Sequence, residues 1–124
     1  MNNYTNKIIR KNGRISVFLE IYTFKEGDIY YAYSPALDLT GYGNTEKEAK
    51  ESLDITLCGY MDYCISNNTL KKDLLSHGWD VRSEKQRKIP APSFDRLLRT
   101  NATFRNILKN KDYRKITEEY PEFA

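Results

Sequence analysis

The chain has 124 residues, 40% of them hydrophobic and 30% charged, with a formal net charge of +3. That length allows one domain plus an appendage, burying roughly two-thirds of the unfolded surface, and the balance excludes wholesale disorder. No apolar run approaches the ~20 residues that span a bilayer, and Met1 to Arg10 has neither the apolar core nor the cleavage site of a signal peptide. The expected location is the cytoplasm, with no membrane partner.

In chain order, Asn12-Gly13 is a tight-turn dipeptide that predicts a strand over Tyr4–Lys11. Arg14–Phe24 is a stronger signal: Ile15, Val17, Leu19 and Ile21 share one face, Phe18, Tyr22 and Phe24 the other. Lys25-Glu26-Gly27-Asp28 turns the chain, and Ile29–Ser34 returns as the second strand of a hairpin. Pro35 ends that ladder because it has no N–H to donate. Leu39–Gly43 reads as a short third strand.

Thr45-Glu46-Lys47-Glu48 matches a reciprocal capping box and opens a long helix. Ala49, Leu53, Leu57, Tyr60, Met61 and Cys64 give it one apolar stripe, and Asn67-Asn68 ends it. A second helix, Thr69 to His77, stops at Gly78. Trp79-Asp80-Val81 is expected to return as a strand on the sheet edge. The fold class is α+β, a three- to four-stranded, mainly antiparallel sheet with one long helix packed on one face, plus a short helical C-terminal tail. Residues 1–81 form the α+β domain, 82–92 a basic, Pro-containing linker, and 93–124 the helical basic tail. In that tail Ser93 caps Phe94–Arg99, Asn101 caps a helix through about Lys109, and Tyr113–Tyr120 adds a further helical segment before Pro121.

Charge divides the same way. Residues 1–81 carry nine Lys/Arg against eleven Asp/Glu, whereas 82–124 carry eleven against six. Ten tyrosines suit half-buried positions and interfaces, or equally an ordinary amphipathic sheet. Cys58 and Cys64 lie six residues apart on one helix, about 240° round its axis, too far for a disulfide. They read as two small core hydrophobes, and with one distant His they make no zinc site.

Tyr30–Leu37 and Gly41–Ala49 carry an aromatic strand, Pro-x-Leu, Gly-x-Gly-x-Thr and x-x-Glu-Ala in that order. This arrangement, over roughly residues 14–65, resembles the HicB antitoxin family. The resemblance implies a degenerate ribonuclease-H-like fold without catalytic power, which neutralises a small messenger-RNA-cleaving HicA-type toxin. It also implies repression of its own operon through a DNA-binding tail. Asp38-Leu39-Thr40 departs from a Pro-Gly-Cys-like stretch of many members, and the segment from Ser93 lacks a helix-turn-helix or ribbon-helix-helix pattern.

The residues themselves argue against an enzyme. Two-metal phosphoryl transfer needs converging carboxylates. Glu20 reads as an edge charge against aggregation, Asp38 as a loop residue, Glu46 and Glu48 as helix-start residues, and Asp54 and Asp62 as polar-face residues. His77, the one histidine, sits where it complements a helix C-terminus. No cofactor or metal is expected.

Phe18, Tyr22, Phe24, Tyr31 and Tyr33 are candidate partner or dimer contacts, since the sheet face opposite the long helix needs cover from a partner, a second copy or the tail. A homodimer is expected on that ground. Arg96, Arg99, Arg105 and Lys109 are candidate nucleic-acid contacts, set against a solvated tail whose charges only aid solubility. The function classes in play are therefore an antitoxin-like binding module and a stand-alone structural or regulatory protein of the same fold.

Overall fold

A computed structural model describes residues 6–83 and 85–123 of the chain. Six strands, β1 (Lys7–Lys11), β2 (Arg14–Glu26), β3 (Ile29–Ser34), β4 (Leu39–Gly43), β5 (Lys88–Pro90) and β6 (Arg114–Phe123), form one sheet. Every pairing is antiparallel. Four helices accompany them: α1 (Glu46–Ser66), α2 (Leu70–Ser76), α3 (Phe94–Thr100) and α4 (Ala102–Asn110). The sheet is thus larger than the three or four strands expected from sequence. Of the expected first strand, Lys7–Lys11 is present, and Tyr4 and Thr5 lie outside the described residues.

The thirteen-residue β2 organises the sheet. Ile15, Val17 and Phe18 pair with both β1 and β6, and Tyr22 and Thr23 with both β3 and β6. Hence β6 holds one edge of β2, while β1 and β3 follow one another along the opposite edge. In the gap between them the Glu20 amide donates 2.7 Å to Oδ1 of buried Asn6, so a side chain replaces the missing ladder acceptor.

The period-two alternation of β2 feeds two cores. Val17, Leu19 and Ile21 join Ala49, Leu53, Leu57 and Met61 of α1 in the larger one. Tyr22 joins Tyr33, Leu97, Phe104 and Ile107 in a second, on the other face. The sheet therefore carries helices on both faces rather than one long helix on one.

The start of α1 follows the expected chemistry. Thr45 Oγ1 accepts from the Glu48 amide at 3.1 Å, and Glu48 Oε1 accepts from the Asn44 amide at 2.9 Å. Glycines bring β4 against this helix: a Cβ on Gly41 would stand 2.2 Å from the Leu53 amide nitrogen and 2.5 Å from the Ala49 carbonyl oxygen. Leu37 is buried, as its place after Pro35 suggests.

Four expectations give way. Tyr113–Tyr120 is not helical; most of it belongs to β6, because Ile116, Glu118 and Tyr120 oppose Ile21, Leu19 and Val17 across a ladder. Trp79–Val81 is not a strand. Its indole is buried and donates 2.8 Å to the Ala36 carbonyl, which anchors this segment over the core by a side chain. Residues 82–92 contain β5, whose Ile89 is fully buried. Gln86 ties down the preceding loop by donating to the Asp80 and Lys88 carbonyls, 2.9 Å each, and accepting from the Arg82 amide at 2.7 Å. Finally, Cys64 is buried but Cys58 is exposed, so only one of the two is a core residue.

Candidate functional site

The aromatic candidates on β2 and β3 separate into two rows. Tyr22 and Tyr33 are Cα partners and both are 2% exposed. Phe104 of α4 meets Tyr22 edge-on at 4.9 Å between ring centroids, and Tyr113 lies 5.6 Å from it. Tyr33 Oη donates to Asp38 Oδ1 at 2.6 Å and accepts from Asn101 Nδ2 at 2.8 Å. Burial, and for Tyr33 then the Asp38 bond, pushes both phenols above their usual ionisation range. This row is covered by the chain's own C-terminal helices and offers no surface to a partner.

The next row starts against that cluster, where Phe24 packs, and opens toward Tyr42. Phe24 pairs with Tyr31 and Tyr31 with Tyr42, so these three side chains leave the sheet on the same face. The Phe24 and Tyr31 rings stack at 5.2 Å with an interplanar angle of 20°. Both are half-buried, whereas Tyr42 is 66% exposed on β4, a strand whose one ladder partner among the described residues is β3. The ladder thus runs to an unpaired sheet edge and ends there in an exposed amphipathic side chain. Phe18 stands apart toward β1, half-buried, with the Lys7 ammonium 5.1 Å from its ring centroid.

Tyr42 is the member that sequence reasoning missed. It sits between Gly41 and Gly43, and the glycines drew the interpretation toward backbone approach. The usable signal was period two: with Gly41 and Gly43 facing α1, Tyr42 must face the other way. Ile55 and Tyr63, 74% and 67% exposed on the outer side of α1, are further apolar surface outside the expected stripe.

The four basic candidates on α3 and α4 are all exposed. Arg105 is already engaged, donating to the Leu98 and Arg99 carbonyls at 2.7 and 3.0 Å, where it caps the end of α3. The Arg96 guanidinium lies beside Gly78. Arg99 and Lys109 project from the last turns of their helices.

The acidic candidates are dispersed into structural roles. Glu20 lies in the interior strand β2, not at an edge, 3.9 Å from Lys115 of β6. Glu46 accepts from Thr23 Oγ1 at 2.8 Å and from Arg114 at 3.0 Å. His77 Nδ1 sits 2.9 Å from the Asp73 carbonyl at the end of α2. Among the described residues no group of three or more His, Cys, Asp or Glu could hold a metal ion. No described helix is long and apolar enough to cross a membrane. Comparison with protein-family models, with curated proteins and with solved structures finds no match.

Proposed function

We propose that this chain is a protein-binding module of HicB-like type, which neutralises a small HicA-type, messenger-RNA-cleaving toxin from the cytoplasm without catalysing a reaction itself. The observation that carries the reading is the Phe24–Tyr31–Tyr42 row, an aromatic ladder that starts half-buried beside the covered cluster and ends in exposed Tyr42 at the β4 edge. An exposed tyrosine at the end of a stacked aromatic row supports a contact surface at that edge. The acidic balance of residues 1–81 suits a basic partner, and the motif resemblance over residues 14–65 supplies its kind. Operon repression would draw on Arg96, Arg99 and Lys109 among the four basic candidates, since Arg105 is turned onto carbonyl oxygens.

The test is co-expression with a small basic protein of HicA type encoded beside this gene. Suppression of that protein's RNA cleavage, with a complex that survives purification, supports the reading. RNA cleavage by the chain alone, lost on Glu20→Gln or Asp38→Asn, overturns it, and so does a neighbouring toxin that the chain neither binds nor inhibits.

A further inference from the structure

Strand β6 is the last edge of the sheet, and its pattern is self-complementary. Its ten residues, Arg-Lys-Ile-Thr-Glu-Glu-Tyr-Pro-Glu-Phe from 114 to 123, pair with β2 alone among the described residues. A row of backbone donors and acceptors along its outer side is thus left without a ladder partner. The other free edges, β4 and β5, are only five and three residues long.

We propose that a second copy of this chain adds at β6, antiparallel across a two-fold axis through Thr117, to make one continuous sheet. In that register Lys115 opposes Glu119 of the second copy, Thr117 opposes Thr117, and Glu119 opposes Lys115. All three stand on one face, because residues 116, 118 and 120 point to the α1 face of the sheet with Ile21, Leu19 and Val17. Two opposite-charge pairs flanking a Thr–Thr pair are favourable cross-strand neighbours. Shifting the dyad by two residues in either direction loses both charge pairs. Arg114 would oppose Tyr120, and the next pair out would match Tyr113 with Pro121, which has no N–H to donate. Proline therefore closes this seven-residue ladder at both ends, and the alternative dyad through Ile116 would have to draw Arg114 and Glu118 away from Glu46 and Lys50 of α1.

The groups this register uses are available. Glu119 is exposed and has no ion-pair partner among the described residues. Lys115 is 48% exposed in a loose 3.9 Å contact with Glu20. On the opposite face α1 meets β6 through Glu46–Arg114 at 3.0 Å and Lys50–Glu118 at 3.8 Å. An isologous addition of this kind closes on itself and leaves no edge for further growth at β6. The Phe24–Tyr31–Tyr42 row lies off this edge, so pairing and partner binding are separable.

Sedimentation of the full chain, with a crosslinking arm, tests the proposal. The wild type is expected to be a dimer at micromolar concentration. Glu119→Lys sets lysine against lysine twice and should raise the dimer dissociation constant by about tenfold or more; Lys115→Glu combined with Glu119→Lys should restore it. In a Cys58→Ser background, a short thiol-to-thiol crosslinker should join Thr117→Cys chains across the dyad. It should fail with Glu119→Cys, whose counterpart is displaced along the strand by roughly 13 Å. A wild type that stays monomeric overturns the proposal. A dimer that ignores Glu119→Lys, or that crosslinks through position 119 in preference to 117, overturns it equally.

Discussion

Asn101 and Tyr33 are joined by a hydrogen bond of 2.8 Å from Nδ2 to the phenol oxygen, while Asn101 Oδ1 accepts from the Phe104 amide at 2.9 Å. One side chain therefore starts α4 and fastens it to the sheet 68 residues away in sequence. The tyrosine passes the connection on to Asp38, whose φ of +55° is held in place by the same contact.

Replacing Asn101 by Ala removes both functions. The cap is worth about 1 kcal/mol, and the phenol bond to a polar partner about as much again. Chemical denaturation should show a loss of about 2 kcal/mol for Asn101→Ala and at least as large a one for Tyr33→Phe, which gives up the Asp38 bond as well. The double variant should lose less than the two together, because the shared bond is counted once.

Residues 93–123 are part of the folded core. Phe104 is 1% exposed against Tyr22, and β6 completes one edge of β2. Phe104→Ala should cost about 3–5 kcal/mol. Removing residues 93–124 should collapse the thermal melt and aggregate the remainder, through the uncovered Tyr22 and Tyr33. An unchanged melt would mean that the segment is only an appendage.

Two glycines predict opposite outcomes for the same change. Gly41→Ala drives a methyl into the α1 backbone, where nothing flexible can yield, and should destabilise by about 3 kcal/mol or more. Gly59→Ala, on the exposed side of α1 with nothing within 4 Å, should stabilise by about 0.5–1 kcal/mol.

Alkali should unfold the protein in a way that reports its buried phenols. Tyr22, Tyr33, Tyr60 and Tyr120 all have ionisation raised first by burial. A folded pKa above the unfolded one gives stability that is complete below the unfolded value, about 10 for tyrosine, and is lost as pH rises beyond it. The melting temperature should hold up to about pH 9 and fall steeply above pH 10. Tyr33→Phe should lie lower at neutral pH and fall less steeply.

Much of this architecture was legible in the sequence where local chemistry agreed with tertiary need. The alternation over Arg14–Phe24, the Thr45 capping box and the caps at Ser93 and Asn101 each fix an element by short-range rules, and each is observed. The misreadings share one cause. Strand β6 has a Lys-Ile-Thr-Glu-Glu-Tyr run with little β-branched or aromatic alternation, and it is extended because β2 offers it a ladder. Trp79 is placed by one indole bond to a carbonyl 43 residues away, which no local pattern announces. At the candidate site Phe24 and Tyr31 were visible as face residues, but only the β3–β4 register brings exposed Tyr42 beside them.

The central claim, that the open aromatic row binds the toxin, is tested most directly by titrating that toxin with Tyr42→Ser and Tyr63→Ser variants. Tyr42 and Tyr63 are almost equally exposed, at 66% and 67%, so neither change should disturb the fold. If the row is the contact, Tyr42→Ser should weaken the dissociation constant by about 30-fold or more, the scale of an interface hot spot of about 2 kcal/mol. Tyr63→Ser should stay within about twofold of the wild type. Equal affinity for wild type and Tyr42→Ser, or a larger loss at Tyr63, would contradict the assignment.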